Sequence, residues 1–384
     1  MKEQTIHVLI AHYLHNIVSG AENSIADFVD QVDKRFKVTM LVPGEGNLAN
    51  FYRKRGFDVW VRKVETPRRM FPGLHTVQSW LFASALKRRG FDVVLCNTFP
   101  AASRVGTACR MAGIPHAIYM RDYIPVSPLH AKILSRSMAI YAISKDVQQH
   151  TAQMVDAGKV KLSYNYIHPD PILDRYEAHM ASGQRRMPWG PEHPVIGLVG
   201  RITPYKQPEL FLRAVPHILK EVPEARFVVI GAAQDREKPY EEQVKALAAE
   251  LGVQEQVMFL GQRRDVVELT AEMTVSCLTS GREPLGRVIL EAHLLGVPVV
   301  VPDTGGPAEI VHNGETGLYF SSTGPDAAVD LARQIVRLLQ NPQERECLST
   351  NARKHVLTTF AGRRHVQIQE EYIEQLTRVR PDPE

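Results

Sequence analysis

The sequence predicts two doubly wound α/β domains joined by a short linker. Its 384 residues exceed the size at which a single hydrophobic core stops growing, so two domains are expected. Short apolar strands alternate with helical stretches in two series, which is typical of parallel sheets covered by helices. A Gly- and Pro-rich stretch without periodicity, residues 180–194, separates the series. The predicted strands are 6–10, 37–42, 58–61, 92–96, 116–120 and 139–143 in the first series, and 195–199, 226–231, 257–261, 274–278 and 297–301 in the second.

The helix predicted over residues 75–89 has two interpretations. Its apolar spacing and its basic end fit a core helix whose last turn complements the helix dipole, and we favour this interpretation. The alternative is a membrane-surface patch that combines Trp80 with Arg68 and Arg69. The apolar residues in question are Leu74, Val77, Trp80, Leu81, Ala85 and Leu86, and the basic end is Lys87, Arg88 and Arg89.

Composition indicates a soluble globular protein with unevenly distributed charge. The net charge is +4, but residues 1–190 hold 25 Lys and Arg against 15 Asp and Glu, whereas the remainder holds 21 against 27. A basic half indicates an anionic membrane surface or a nucleic acid as partner, and simple solubility charge is the alternative. Nucleic acid is disfavoured because no recognition motif accompanies the basic residues. No uncharged apolar run reaches about 18 residues, so we expect a cytosolic protein without a membrane span or signal peptide.

The motifs do not indicate metal or ATP chemistry. The four cysteines are scattered without Cys-x2-Cys pairing, so free thiols are expected rather than disulfides or a metal site. No His/Cys cluster has metal-ligand spacing and no Asp-x-Asp pair occurs inside the chain, so neither a catalytic metal nor a cofactor is predicted. The sequence also lacks a Gly-x4-Gly-Lys-Ser/Thr loop and a Gly-x-Ser-x-Gly elbow.

Polar residues at the carboxyl ends of predicted strands are the first candidates for binding, because open parallel sheets bind ligands there. Arg201 and Lys206 flank a turn after the first strand of the second series, where two fixed cations can clamp a diphosphate. Arg121 and Asp122 follow the fifth strand of the first series. Gly20 lies at a strand-to-helix turn, where a small residue lets the backbone approach a ligand closely.

The predicted loop and helix over residues 280–296 carry two carboxylates eight positions apart around a Pro-x-Gly turn. Glu283 lies in the loop, and Glu291 lies in the helix that begins near Gly286. The amides of Leu285 and Gly286, together with the helix dipole, favour an anion at the helix start. Carboxylates beside an anion site are suited to accept hydrogen bonds from hydroxyls. Phosphate and hydroxyls together indicate a sugar nucleotide.

This stretch resembles the signature of the retaining GT-B glycosyltransferases of family 4, the glycosyl transferases group 1. That family carries Glu-x7-Glu before a Gly-x-Pro-Val-Val strand and a Gly-Gly-x-x-Glu turn, and here the turn is Gly305-Gly306 with Glu309. The resemblance extends over most of the chain. One departure is Arg121, which stands where the family commonly has a His, and an arginine cannot act as a base.

The resemblance implies a GT-B fold, in which two Rossmann-like domains face each other across a cleft. It implies an acceptor-binding domain over residues 1–185 and a nucleotide-sugar-binding domain over residues 195–362. Residues 363–384 are then a C-terminal helix that returns to the first domain. A surface helix of the second domain is the alternative for this segment.

The resemblance also implies the roles of individual residues. Arg201 and Lys206 would grip the pyrophosphate, Glu283 would contact sugar hydroxyls and Glu291 the ribose hydroxyls, while Arg263 would belong to a base-binding loop. The implied catalytic residues are Glu283, Arg201, Lys206, Asp122 and Arg121. The implied donor-binding residues are Gly20, Gly200, Arg201, Lys206, Arg263, Glu283, Leu285, Gly286 and Glu291.

The implied function is transfer of a sugar, with retention of configuration, from a UDP- or GDP-type sugar to an acceptor hydroxyl without a metal ion. The acceptor would be a glycan, a lipid-linked or a small molecule in cell-surface glycan or glycoside biosynthesis. A peripheral contact of the basic first domain with an anionic membrane fits a lipid-linked acceptor. Two alternatives stay open: a sugar-nucleotide epimerase of GT-B architecture, and a non-catalytic sugar-nucleotide-binding subunit, which Arg121 would favour.

Overall fold

The computed structural model describes residues 5–15, 20–64 and 72–378. The chain forms two compact units, of which the first comprises residues 1–166 with 363–384 and the second residues 167–362. Arg68 and Arg69 of the alternative membrane patch, and the tail from Arg380, lie outside the described residues.

The first unit is built on a parallel sheet of seven strands. The strands are β1 (Ile6–Ala11), β2 (Phe36–Val42), β3 (Asp58–Val61), β4 (Val93–Cys96), β5 (His116–Met120), β6 (Ala139–Ala142) and β7 (Val160–Leu162). The helices are α1 (Gly20–Val29), α2 (Asn47–Arg53), α3 (Pro72–Arg89), α4 (Phe99–Ala112), α5 (Pro128–Ser135), α6 (Lys145–Ala152) and, from the end of the chain, α15 (Arg363–Arg378). The strand order is β3-β2-β1-β4-β5-β6-β7, so the order reverses direction between β1 and β4.

The second unit repeats this plan with six parallel strands. They are β8 (Val195–Val199), β9 (Arg226–Ile230), β10 (Val257–Gly261), β11 (Val275–Cys277), β12 (Val299–Pro302) and β13 (Leu318–Phe320). The helices are α7 (Pro169–Ser182), α8 (Pro208–Glu221), α9 (Lys238–Glu250), α10 (Val266–Ala271), α11 (Arg287–Leu294), α12 (Pro307–Ile310), α13 (Ala327–Gln340) and α14 (Pro342–Thr359). The strand order is β10-β9-β8-β11-β12-β13, with its reversal between β8 and β11.

Both sheets are covered by helices because their strands are apolar on both faces. β4 and β6 are buried at every position, as expected for strands in a parallel sheet between two helical layers. The predicted pair of doubly wound domains is therefore confirmed. The strands β7 and β13 were not predicted, and each has only three residues.

The division between the units differs from the predicted boundary at residue 185. Helix α7 belongs to the second unit, where it packs against α10 and α11, so the chain passes from one unit to the other near Tyr166. The residues that follow α7 were predicted to be a linker, but they are tied to this unit. The Glu272 carboxylate accepts hydrogen bonds from the amides of Arg186 and Met187, at 2.6 and 3.0 Å, and lies 3.0 Å from Nε2 of His179.

The terminal helix α15 packs within the first unit. Val366, Ile373 and Leu376 are buried in the same core as α1 and α2. Glu370 is 3% exposed and accepts a hydrogen bond of 2.8 Å from the amide of Asp33. Apolar burial and polar contacts thus attach the end of the chain to its beginning.

Helix α3 differs from the favoured prediction. Its core side consists of Phe82, Ala83, Ala85 and Leu86, whereas Val77, Trp80 and Leu81 are 55%, 59% and 49% exposed. The interpretation of these three residues as core was wrong, because the helix carries apolar side chains on two faces and only one face packs into the first unit, mainly against α4.

Candidate active site

The predicted donor-binding residues of the second unit gather where the strand order reverses. Gly200 and Arg201 directly follow β8, and the loop bearing Ser280 and Glu283 follows β11, the strand paired with β8. In open parallel sheets the loops diverge at such a point and leave a crevice beyond the carboxyl ends of the strands. One cavity at this edge is lined by Gly200, Arg201, Lys206 and Ser280 together with apolar residues of β8 and β9.

The turn that carries Arg201 depends on a close approach of two backbones. A Cβ atom at Gly231 would lie 1.8 Å from the carbonyl oxygen of Gly200, so only glycine permits this approach. Arg201 is exposed, and its Nη2 donates to the Tyr205 hydroxyl at 3.3 Å. The approach of the strands therefore fixes the backbone from which Arg201 projects.

Lys206 and Glu283 form an ion pair. Lys206 Nζ lies 2.5 Å from Glu283 Oε2, which also accepts a hydrogen bond of 2.8 Å from the Ser280 hydroxyl. Glu283 is 8% exposed. Burial lowers the pKa of Lys206, but the charge of Glu283, the nearby Tyr205 and the hydrogen bond to Glu283 together outweigh burial, so the pKa is raised. Lys206 is thus a fixed cation whose charge is already shared with the carboxylate beside it.

A second chain segment clamps the loop that carries Glu283. The amide of Gly306 donates to the carbonyl oxygen of Glu283 at 2.9 Å. A Cβ atom at Gly306 would lie 2.3 Å from the carbonyl oxygen of Pro284 and from Cα of Leu285. The Gly-Gly turn after β12 therefore packs directly on the loop that leads into α11. This loop delivers the amides of Leu285 and Gly286 to the helix start, where the first N–H groups have no partner within the helix.

Two further predicted residues have carboxylate–guanidinium partners of their own. Glu291 Oε1 accepts a hydrogen bond of 2.8 Å from Nε of Arg287, one turn earlier in α11. Arg263 donates to both carboxylate oxygens of Asp265, at 2.8 and 2.6 Å. Neither of these ion pairs includes Lys206 or Glu283.

Arg121 of the first unit lies inside the protein rather than on its surface. It is 6% exposed, and its Nε donates to the carbonyl and side-chain oxygens of Asn97, at 3.1 and 2.8 Å. Its Nη1 donates to Oδ1 of Asn165 at 2.5 Å, and its guanidinium lies over the ring of Tyr119. Burial lowers the pKa of Arg121. Arg121 thus connects the ends of β4 and β5 to residue 165, while its neighbour Asp122 is exposed.

A buried His–Glu pair, not predicted as a site, lies at the strand-order reversal of the same unit. His12 follows β1, and its Nδ1 lies 3.8 Å from Glu22 Oε1 and 3.4 Å from Nδ2 of Asn97. Glu22 belongs to the first turn of α1, two residues after Gly20. The position of His12 at a strand's carboxyl end is the sequence signal that could have drawn attention to it.

Gln207 is a second feature that sequence reasoning missed. Among the described residues other than glycine it is the one with a positive φ, 47°, and it caps α8 directly after Lys206. Such a backbone conformation in a non-glycine residue is concentrated at ligand sites. No sequence signal marks it, since glutamine does not favour this conformation.

The structure thus brings together Gly200, Arg201, Lys206, Glu283 and the helix start at Leu285–Gly286 in the second unit. Gly20, Arg121 and Asp122 belong to the first unit. Across residues 5–15, 20–64 and 72–378, no group of three His, Cys, Asp or Glu side chains is arranged to hold a metal ion. Within the same residues, no helix has both the length and the apolar character needed to cross a bilayer.

Solved structures with the same fold define the class of the protein. The Anabaena protein HepE, crystallised with UDP and glucose, superimposes with a TM-score of 0.81 at 22% identity, over 97% of this chain and all of that one. WaaG, a glycosyltransferase involved in lipopolysaccharide biosynthesis, superimposes with a TM-score of 0.70 at 15% identity, over 97% and 100% of the two chains. The fold is that of the GT-B glycosyltransferases.

Family models identify the family within this class. The model of Glycosyltransferase Family 4 matches residues 18–171, and that of Glycosyl transferases group 1 matches residues 184–355. The two matches are consecutive and together cover most of the chain. The protein belongs to the group 1 glycosyltransferases of GT-B fold.

Two curated relatives are 26% and 30% identical to this chain over the aligned residues. A D-inositol 3-phosphate glycosyltransferase of Kribbella flavida is 26% identical over 299 residues, which are 72% of this chain and 69% of the relative. A GDP-mannose-dependent alpha-(1-6)-phosphatidylinositol monomannoside mannosyltransferase of Mycolicibacterium smegmatis is 30% identical over 182 residues, 45% of either chain.

Proposed function

We propose that the protein transfers a sugar from a nucleoside-diphosphate sugar to an acceptor hydroxyl, with retention of the anomeric configuration. The observation that carries this proposal is the convergence of Arg201, Lys206, Glu283 and the start of α11 at the strand-order reversal of the second unit. Cations and free amides suit a diphosphate, and a carboxylate beside them suits sugar hydroxyls. A UDP- or GDP-sugar has both groups in one molecule.

Different residues of this site bind different parts of the donor. Arg201, Lys206 and the amides of Leu285 and Gly286 bind the diphosphate and stabilise the negative charge that develops on it as the bond to the sugar breaks. This positive charge supports a reaction that needs no metal ion. Glu283, held in place by Lys206 and Ser280, accepts hydrogen bonds from the sugar.

The two predicted residues outside this cluster bind the nucleoside part of the donor. Glu291 accepts hydrogen bonds from the ribose hydroxyls, for which it exchanges or shares its present contact with Arg287. Arg263 and the loop after β10 contact the base. Both residues lie on loops or helix positions of the second unit, in keeping with a donor bound largely by that unit.

The transferred carbon passes through an oxocarbenium-like state while the acceptor hydroxyl attacks on the face of the leaving diphosphate. Two relatives support hexose transfer: one is a GDP-mannose-dependent mannosyltransferase, and the other is a D-inositol 3-phosphate glycosyltransferase. The structure of HepE with UDP and glucose supports the same donor class.

The first unit supplies the acceptor side of the reaction. Asp122 is exposed beside the buried Arg121, so we assign Asp122 to the acceptor and a positioning role to Arg121, which holds the ends of β4 and β5 together. The acceptor is a glycan, a lipid-linked or a small molecule, and the reaction belongs to cell-surface glycan or glycoside biosynthesis. With a lipid-linked acceptor, the protein acts in the cytoplasm at the inner face of the membrane.

A thermal-shift screen of nucleoside diphosphates and their sugars tests donor binding. A ligand at about 100 times its dissociation constant should stabilise the folded protein by about 2.7 kcal/mol. Arg201→Ala should abolish the shift, whereas Arg213→Ala, which removes an exposed arginine from the neighbouring α8, should keep it. Equal shifts in the two variants would exclude the proposed diphosphate site.

An assay of the reaction itself separates transfer from its alternatives. Incubation of the donor with candidate acceptors should yield a glycoside whose anomeric configuration, read by NMR, matches that of the donor. Arg201→Ala should slow transfer by about 100-fold or more, since loss of one transition-state charge contact costs roughly 3 kcal/mol. Epimerisation of the donor without acceptor, or binding without any turnover by the purified chain, would each contradict the proposal.

A further inference from the structure

Helix α3 carries apolar side chains on two opposite faces. Phe82 and Leu86 are buried, Phe82 against the Trp60 ring of β3, whereas Val77, Trp80 and Leu81 are each about half exposed. The spacing of three and four positions places these three side chains together on one side of the helix. The outer face of α3, defined as Val77, Trp80 and Leu81, is therefore a contiguous apolar surface that the first unit leaves open.

This concentration of exposed apolar side chains is confined to α3. Single exposed apolar residues are ordinary on protein surfaces, and Met180, Val329 and Leu357 are examples in this chain. Within residues 5–15, 20–64 and 72–378, no other helix places three large exposed apolar side chains on one face. Contiguous patches of this kind mark interaction surfaces.

Cations lie at the C-terminal end of the outer face of α3. The helix has no acidic residue between positions 72 and 89, and its exposed last turn is Lys87-Arg88-Arg89. The Arg62 guanidinium lies over the ring of Phe82, on the buried side of the helix, and burial together with the nearby Arg88 and Arg89 lowers the pKa of Arg62. In the described part of the chain, none of these four cations forms an ion pair with a carboxylate. The apolar face thus has a basic rim at its C-terminal end, formed by Lys87 and Arg88.

We propose that the outer face of α3 binds an anionic phospholipid surface. Trp80, Val77 and Leu81 enter the boundary between headgroups and acyl chains, where an indole ring is favoured, and the basic rim contacts the phosphates. The charge decides against a second copy of this chain as the occupant. Two identical basic rims would face each other across a symmetric contact and repel. The proposal depends on α3 alone and stands whether or not the protein transfers sugars.

Vesicle flotation with the full-length protein tests the proposal. The probes are phosphatidylcholine vesicles with and without phosphatidylglycerol, at low and high salt. We expect binding to the anionic vesicles, weakened by salt, and little binding to the neutral ones. The triple variant Val77→Ser/Trp80→Ser/Leu81→Ser and the double variant Lys87→Gln/Arg88→Gln should each bind at least about tenfold more weakly.

Matched controls change the same kinds of residue on the second unit. Val329→Ser/Leu357→Ser removes exposed apolar side chains, and Lys220→Gln/Lys354→Gln removes two exposed positive charges. Both controls should bind vesicles like the unaltered protein. Brominated acyl chains should quench tryptophan fluorescence in the unaltered protein, and Trp80→Phe should remove this quenching although Trp60 and Trp189 remain.

Three results would overturn the proposal. They are no binding to anionic vesicles at low salt, equal binding by the triple variant and the unaltered protein, or a dimer in solution that the triple variant abolishes while vesicles stay unbound. Thermal shifts with nucleotide sugars, measured on the same variants, should be unchanged. The outcome for the membrane surface is therefore distinguishable from the outcome for the donor site.

Discussion

Lys206 and Glu283 were each assigned to a part of the donor, yet in the structure they contact each other at 2.5 Å. A carboxylate as buried as that of Glu283 needs a partner, because an isolated charge in the interior is strongly unfavourable. Lys206 supplies this partner and remains at the edge of the cavity with Arg201. The pair thus orders the site before any ligand binds, and Lys206 can serve a diphosphate oxygen and Glu283 at once, since an ammonium has three donors.

Removing one partner of this pair should cost more than removing both. Lys206→Ala leaves the Glu283 carboxylate without its cation and should lower the free energy of unfolding by about 3 to 5 kcal/mol. The double variant Lys206→Ala/Glu283→Ala should recover part of this loss, with a coupling energy of roughly 2 kcal/mol in a double-mutant cycle. Urea unfolding of the unaltered protein, the single variants Lys206→Ala and Glu283→Ala, and the double variant measures the coupling energy. Additive losses would show that the two side chains do not stabilise each other.

Arg121 shows how one substitution can alter the role of a position. The family commonly has a histidine there, whose ring could face the reacting sugar, whereas Arg121 reaches inward to Asn97 and Asn165. A guanidinium buried among three oxygen acceptors is held by its fork of donors and has little freedom to approach a ligand. Under the proposed function, Arg121 would therefore act through the positions of β4, β5 and Asn165.

At the scale of elements, the turn after β12 and the loop before α11 act as one unit. They meet backbone to backbone at Gly306, where a Cβ atom would lie 2.3 Å from Pro284 and Leu285. The φ of Gly306 is −58°, which any residue can adopt, so the need for glycine at this position comes from the close approach alone.

Gly306→Ala should therefore displace the loop of Glu283 and the start of α11 without straining its own backbone. We expect nucleotide-sugar binding to weaken by at least about tenfold, because a lost charge-assisted contact is worth more than about 1.4 kcal/mol. Isothermal titration calorimetry measures the affinity. Gly158→Ala is the matched control, since its Cβ would meet only a carboxylate at 3.5 Å. An unchanged affinity in Gly306→Ala would mean that the loop does not position the ligand.

Helix α15 is the element that completes the first unit. Ile373 is 1% exposed in the core that α15 shares with α1 and α2, so Ile373→Ala removes buried methylene and methyl groups. The expected loss of unfolding free energy is about 2 to 5 kcal/mol. The exposed Glu371→Ala on the same helix should change it by less than about 0.5 kcal/mol. Urea unfolding of both variants decides, and equal stability would mean that α15 contributes little to this core.

The elements that could be predicted are those whose patterns are long. Strands such as β1 and β8, with six and five mostly apolar residues before a turn, were located within a residue or two. The three-residue strands β7 and β13 are too short for any pattern and depend on their neighbours in the sheet. The solvent-facing side of α3 could not be inferred either, because apolar residues on both faces of a helix do not reveal which face packs into the unit.

The site could be predicted residue by residue but not as a set of contacts. Arg201 and Lys206 were predicted because the carboxyl ends of parallel strands are binding positions, and Glu283 because it precedes a helix start suited to an anion. That Lys206 pairs with Glu283 is a tertiary contact between residues 77 positions apart, and no local pattern encodes it. Likewise, Arg121 was expected to face a ligand, and only its burial reveals the internal network.

At the scale of the whole molecule, each unit contains a histidine enclosed in its interior. His116 in β5 is 3% exposed, and burial lowers its pKa to about 4. His293 in α11 is fully buried, and burial followed by the nearby His355 lowers its pKa to about 3. In the unfolded chain, a histidine takes up a proton as the pH falls through about 6.5. At that pH both rings are still neutral in the folded protein.

This difference predicts that acid destabilises both units. A histidine whose pKa is lowered on folding contributes its stability above the unfolded pKa of about 6.5 and loses it as the pH falls below that value. At about pH 5 each of the two should cost roughly 2 kcal/mol relative to about pH 7. Urea unfolding at these two pH values measures the loss, and His116→Leu/His293→Leu should remove most of it. His217→Gln, at a half-buried position of α8, should keep the full pH dependence. If the double leucine variant loses as much stability in acid as the unaltered protein, other groups are responsible, and the two buried histidines do not set the acid limit of the fold.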